Sequence, residues 1–207
     1  MNLEYRDFEL QDYSACEGLV NEAWGFEKIF PNVKLASFAK LIYTKGALLY
    51  SNYRKVAILD GQVVGFIFGF NNQNPKPKGR FLFSVYIIWK ILILRSSEKP
   101  GKKELINAIS AHEKNRNEVI SKGNSEIALF VISKNCQGIG AGTTLWEGFK
   151  TYCEGGGVKN IFVETNKLGA SGFYEKRGFT HLSDFDSPLH EFATKGGQAC
   201  MYKFQCK

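Results

Sequence analysis

The sequence predicts a single α/β domain spanning residues 1–207. Three observations carry this. Helix-period and strand-like segments alternate along the chain. An Asp60-Gly61 pair joins two apolar runs as a tight hairpin turn would. A glycine-rich stretch at 137–143 lies between a strand pattern and a helix pattern. With 44% hydrophobic and 14% aromatic residues, 207 residues are enough to bury a core without disulfides or metals.

The elements follow in order. Residues 3–8 read as a short strand. Residues 12–24 read as a helix with Tyr13, Cys16, Val20 and Ala23 on one face. Pro31-Asn32 signals the start of a second helix, to about residue 50, carrying Leu35, Phe38, Ala39 and Ile42 inward. The hairpin pairs 55–59 with 62–70. Residues 71–79, with Pro75 and Pro77, read as a loop.

The run 81–94, FLFSVYIIWKILIL, is the most apolar of the chain. As a helix it is about 21 Å long, short of the ~30 Å of a bilayer core, and Lys90 interrupts it. No membrane span is expected. The segment is expected to pack as a helix against the body or a partner, which leaves a homodimer open. A helix over 102–121 follows, with Leu105, Ile109, His112 and Arg116 on a shared face. His112 reads first as a structural residue and second as a pocket residue. Beyond it come a strand at 126–132, a helix at 140–154 and a strand within 158–165. A short helix at 170–177 and late strands at 181–182 and 200–204 complete the chain.

The charge is uneven. Residues 71–124 hold eleven Lys and Arg against four Glu and so carry the whole net +7. Such runs are usually solvated faces, and nucleic acid is not an expected partner. The excess leans toward an anionic acceptor or the phosphates of a cofactor. Five widely spaced cysteines form no Cys-x-x-Cys pair and have no neighbouring His, so no metal is expected. With no secretory pattern at the N-terminus, they read as reduced thiols of a cytoplasmic protein.

The chemistry concentrates in Gln137-Gly138-Ile139-Gly140-Ala141-Gly142-Thr143. Glycines at alternate positions allow a sharp turn and close approach to a ligand. The free N–H groups of the helix start that follows suit a phosphate or pyrophosphate. Neither the P-loop nor the dinucleotide template fits the spacing, since no lysine follows and the loop comes late in the chain.

A third template does fit. Gln137-x-x-Gly140-x-Gly142 resembles the Gln/Arg-x-x-Gly-x-Gly/Ala signature of the GNAT superfamily of N-acetyltransferases. Ala170-Ser171-Gly172-Phe173-Tyr174-Glu175-Lys176-Arg177-Gly178-Phe179 resembles that family's Ala-x-x-x-Tyr-Glu-Lys-x-Gly-Phe motif. The likeness is specific over 125–182 and topological over 1–70. It implies a mixed, twisted central sheet flanked by helices, with 71–124 as a two-helix insertion between the third and fourth strands. That insertion would serve as a substrate lid or a dimer seam.

The resemblance also implies roles. Acetyl-CoA, the cosubstrate, would lie where the fourth and fifth strands splay apart. Phe130, Val131 and Ile132 would meet the pantetheine arm, and the amides from Gly138 to Thr143 the pyrophosphate. Lys167 stands where the family commonly has an asparagine, which leaves Asn166, one residue away, as the remaining candidate for that contact. An amine attacks the thioester only when neutral, so a base must take its proton. Glu126 occupies the position of the base in the histone-acetylating branch, with Glu164 as second choice. Tyr174 is the candidate acid for the departing thiolate. The implied activity is acetyl transfer to a primary amine on a small molecule or a protein. The rival readings are a non-catalytic CoA-binding regulatory module and a transferase using a longer acyl-CoA or an aminoacyl donor.

Overall fold

The structure, a computed structural model, describes residues 2–30, 32–75, 79–93, 101–121, 123–166, 169–190 and 198–206. Pro31, Leu94, Lys167 and, in the basic segment, Lys76, Lys78, Arg95, Glu98, Lys99 and Lys122 lie outside the described residues. The strands are β1 (Leu3–Asp7), β2 (Tyr53–Leu59), β3 (Gln62–Phe70), β4 (Ser125–Ile132), β5 (Asn160–Asn166), β6 (Thr180–Phe185) and β7 (Ala199–Gln205). The helices are α1 (Tyr13–Trp24), α2 (Phe26–Ile29), α3 (Val33–Tyr50), α4 (Arg80–Ile93), α5 (Lys102–Val119), α6 (Ala141–Gly155) and α7 (Ser171–Glu175). The strands form one seven-stranded sheet in the order β1-β2-β3-β4-β5-β7-β6. Only β4 and β5 run parallel; every other pair is antiparallel.

Local chemistry accounts for the boundaries. Gly25, at φ 69°, ends α1, and four more residues continue as α2, a break the helical periodicity does not show. Asn32 caps α3 by accepting from the Lys34 and Leu35 amides at 3.0 and 3.1 Å. Asp60 (φ 49°) and Gly61 (φ 82°) make the hairpin turn that needs two left-handed residues. β6 is longer than its apolar content indicates, because four of its six residues are polar and its outer edge has no strand partner among the described residues.

Two cores sandwich the sheet. On one face α1, α2 and α3 pack on Val56, Phe66, Phe68, Leu129 and Val131. On the other α6 packs Leu145, Trp146 and Phe149 onto Ala57, Ile67, Ile127 and Ile161. Trp146 and Phe149 are fully buried, which stabilises the fold by roughly 1.5–3 kcal/mol each. Gly69 makes this approach possible, since a Cβ there would lie 2.3 Å from the Phe149 ring.

One irregularity decides the position of the site. Phe68 pairs with Leu129 but Gly69 pairs with Ile127, so Ala128 is a bulge without a partner on β3. Strict alternation places Ile127, Leu129 and Val131 on one face of the sheet. The bulge sends Ile127 to the α6 core and Leu129 and Val131 to the α3 core.

Between β3 and β4 the chain forms α4 and α5. α4 rests Ile87 and Ile91 against the α3 core, while Phe81, Leu82, Ile88, Trp89 and Leu92 are each more than half exposed. Among the described residues no helix is long and apolar enough to cross a membrane.

Candidate functional site

The site begins where two strands part. β4 and β5 pair only through Ser125–Ile127 and Ile161–Val163. Past Ile127, β4 keeps its bonds to β3 and β5 keeps its bonds to β7, but the edges facing each other are unpaired. The Ala128 bulge sits at the point of divergence, where the added residue bends β4 away. The wedge opens into a continuous cavity of about 1390 Å³. Its walls are residues 128–132 and 163–166. One end is formed by the start of α6 and by α7, the other by α3, α5 and Leu189-His190.

The α6 end is built from backbone. Gly138 and Gly140 hold φ of 85° and 91°, a region that excludes most L-residues. No side chain caps α6. The first helical bond is from the Thr144 amide to the Gly140 carbonyl at 3.1 Å, so the amides just before Thr144 have no intrahelical acceptor. A Cβ on Gly142 would meet Phe173, Ile132 and Phe130 at 3.4 to 3.6 Å, so the glycine keeps the floor low. Arg177 adds a cation that the sequence reading passed over, though it lies inside the Tyr174-Glu175-Lys176-Arg177 motif. Its guanidinium donates to Thr143 Oγ1 and lies over the Phe173 ring at 5.1 Å. Its Nε is buried with no hydrogen-bond partner among the described residues. An uncapped helix start, open left-handed glycines and an unsatisfied guanidinium fit a pyrophosphate.

Of the residues singled out from sequence, Phe130, Val131, Ile132, Gln137, Gly138, Gly140, Gly142, Thr143, Asn166, Glu126 and Tyr174 line this cavity. Ile139 and Ala141 do not: Ile139 is 37% exposed to solvent and Ala141 is turned into the α6 core. Their amides, not their side chains, belong to the loop. Tyr174 is buried edge-on against Phe173 and Phe179, at 5.4 and 5.2 Å between ring centroids, and burial pushes its phenol up.

The other end is built from side chains of four separate segments. Arg116 of α5 donates from Nε to Glu164 Oε2 at 3.1 Å and from a terminal nitrogen to Glu126 Oε2. His190 Nε2 is 2.8 Å from Glu164 Oε1, and His112 Nε2 is 3.6 Å from Glu164 Oε2. His112 Nδ1 meets Ser187 Oγ at 2.9 Å. Burial pushes the Glu164 carboxyl up, but the His190 bond and the charges of His112, His190 and Arg116 outweigh it and hold the group below its usual range. Burial pushes His112 down, further than the Glu164 carboxylate pulls it back. Tyr43 is close enough for the Glu164 charge to add to burial in raising its phenol. Arg116 as an ion-pair centre and His190 at all were not evident from sequence. Only Arg116's place on the His112 face of α5 hinted at either.

Parted parallel strands, a glycine-capped helix at the opening and a polar cluster across from it form one cleft open to a phosphate-bearing ligand at one end. The model of a family described as an acetyltransferase (GNAT) domain matches residues 103–186, from the first turn of α5 to just past β6. A GNAT-family acetyltransferase of Desulfovibrio desulfuricans is 16% identical, with a TM-score of 0.55 and both chains covered in full. The ribosomal-protein-S18-alanine N-acetyltransferase of Escherichia coli is 13% identical, with a TM-score of 0.56 over 100% of this chain and 95% of that one. A histone acetyltransferase HPA2 and related acetyltransferase of Corynebacterium glutamicum is 15% identical, with a TM-score of 0.60 over 100% of this chain and 98% of that one. No curated protein matches the sequence. At such identities the structural likeness is one of fold, and the family match falls on the segment that carries the cleft. Over residues 103–186 the chain is thus similar to a GNAT acetyltransferase domain, and its fold as a whole is that of the solved acetyltransferases.

Proposed function

We propose that the protein transfers the acetyl group of acetyl-CoA to a primary amine in a ternary complex. The observation that carries this reading is the single cavity joining the α6 start to the Glu126–Arg116–Glu164 cluster, with Tyr174 on its wall. The unpaired edge at Phe130–Ile132 would bond the pantetheine amides as a neighbouring strand does. The amides of the 138–143 loop and Arg177 would hold the pyrophosphate, and Asn166 would sit beside the arm.

The amine must lose a proton before it attacks. Glu126 engages Arg116 through Oε2, while its Oε1 has no protein partner among the described residues. That oxygen can accept the proton, directly or through water. Glu164 is fully engaged on both oxygens and serves better to position Arg116 and the histidines. The nitrogen then bonds to the acetyl carbon, the carbon–sulfur bond breaks, and the thiolate takes a proton from the Tyr174 phenol. Cysteines held as thiols suit a reducing, cytoplasmic setting.

The test is calorimetric titration with acetyl-CoA, CoA and a longer acyl-CoA, followed by thiol release with added amines. Micromolar binding of acetyl-CoA and amine-dependent thiol release are expected. Absence of binding to every CoA species would overturn the reading.

A further inference from the structure

We propose that the outer face of α4 docks the protein flat on an anionic bilayer surface. None of the described side chains of α4 lines the cleft, so this face stands apart from the transfer chemistry.

α4 is apolar on both sides. Phe83, Ile87 and Ile91 recur at every fourth residue and face the body. Ile87 and Ile91 pack against the α3 core, and a Cβ on Gly46 of α3 would meet Phe83 at 3.8 Å. Phe81, Val85, Ile88 and Leu92 recur at spacings of four, three and four on the opposite side, with Leu82 and Trp89 beside them. All six are about half exposed or more. A helix that is apolar all round is normally covered on every side. Here α3 covers one side and the other faces water. An exposed apolar strip of this kind marks a surface that meets something.

The charge around the strip identifies the occupant. No acidic residue occurs anywhere from 61 to 97, while 71–97 holds five Lys and Arg. Lys90 stands at the edge of the strip, its Nζ 5.4 Å from the Tyr86 ring centroid and 5.8 Å from that of Trp89. Lys102 reaches over from α5 to donate to the Ile91 carbonyl at 2.9 Å, which sets a second cation at the last turn of α4. Apolar side chains bordered by cations suit a lipid surface. The rings and aliphatic groups enter the boundary between headgroups and acyl chains, and the lysines reach anionic headgroups. Trp and Tyr are favoured at that depth because each joins an apolar body to a polar end.

A second copy fits this face less well. Fourteen residues make a strip about 21 Å long and about 10 Å wide, roughly 200 Å², against the ~800 Å² per partner of a stable interface. Self-pairing would also bring together two copies of the segment 71–124, each with a net +7. Nor is a span at issue, since among the described residues no helix is long and apolar enough to cross a membrane. A helix lying flat needs no such length.

The test is co-sedimentation of the full chain, without CoA or amine, with vesicles of phosphatidylcholine alone and of phosphatidylcholine with about one third phosphatidylserine. Binding is expected to be at least about tenfold stronger to the anionic vesicles. Ile88→Asp and Trp89→Asp, both at solvent-exposed positions, are each expected to cut that binding at least about tenfold while keeping the parent's circular dichroism spectrum. Lys90→Gln is expected to weaken binding to the anionic vesicles only. Absence of vesicle binding, equal binding to both kinds of vesicle, or undiminished binding of both aspartate variants overturns the proposal. So does a parent chain that sediments as a dimer without lipid while Trp89→Asp sediments as a monomer, which would give the strip to a second copy.

Discussion

The two ends of the cleft are made from different materials. At the α6 end the polar groups are main-chain amides, fixed in direction by the helix they begin. Nothing there has to titrate, and the field is that of oriented dipoles. At the far end the polar groups are side chains from α5, β4, β5 and the 186–190 segment, each held only by the others. One end is rigid because of secondary structure. The other is rigid only while its charges balance. A phosphate bound at the first end would therefore meet a surface built during folding, whereas an acceptor at the second would meet a network that one substitution can unbalance.

Removing the balancing cation is expected to have the largest effect. Arg116→Ala removes the cation between Glu126 and Glu164 and leaves Glu126 without its ion-pair partner, which is expected to cost about 3–5 kcal/mol in urea unfolding. Arg116→Lys should recover part of this, since a point charge cannot serve both carboxylates as a planar fork does. An unchanged midpoint for Arg116→Ala would show that the cluster is not self-supporting and would erase the contrast.

The matching test of the backbone end is Gly140→Glu. It forces an L-residue to φ 91° and sets a negative charge where phosphate would bind. Acetyl-CoA affinity is expected to fall at least about 100-fold, with the circular dichroism spectrum retained. Here binding is expected to be lost while the cost in stability, about 1–3 kcal/mol of backbone strain, stays below that of Arg116→Ala.

Tyr174→Phe probes the wall between the two ends. Acetyl-CoA affinity should hold while kcat falls about tenfold, below the ~10²–10⁴ usual for a general acid, because burial makes this phenol a weak donor. No change in kcat would remove Tyr174 from the chemistry.

The smallest effect is in pH dependence, and it should come from the side-chain end alone. The folded chain holds His112 below its ordinary 6.5, so the unfolded chain protonates first. Stability from this group is complete above about pH 6.5 and is lost as pH falls from there toward its folded value. Glu164 acts in a lower window: its contribution is present above the ordinary carboxylate value of 4.5 and is lost as pH falls through its depressed folded value. His112→Gln should flatten the melting-temperature profile between pH 7 and 5 and leave the steeper fall below pH 4.5.

The same contrast explains what could be read from sequence. The α6 end is contiguous, so Gln137 to Thr143 and the Tyr174 motif are visible as strings of residues whose spacing is itself the geometry. The far end joins Arg116 to Glu164, 48 residues apart, and His112 to Ser187, 75 apart. No periodicity encodes such meetings; they exist only after the sheet order is set. Glu126 was visible because it lies on a strand beside a motif, but its ion pair was not. The helix 81–94 was legible as a helix. That most of its large apolar side chains face solvent was not, since its pattern reads equally as a packed surface. The Ala128 bulge left no trace, because EIALFVI alternates as well without it.

That extra residue has a historical consequence. Deleting Ala128 would restore a regular ladder, yet it would send Ile127 and the residues before it to the opposite face, placing Glu126 in an apolar core and its neighbours in the cleft. Reversal would need several compensating changes at once. In a central strand the insertion therefore acts as a ratchet: the wedge depends on the count of residues in β4 more than on their side chains.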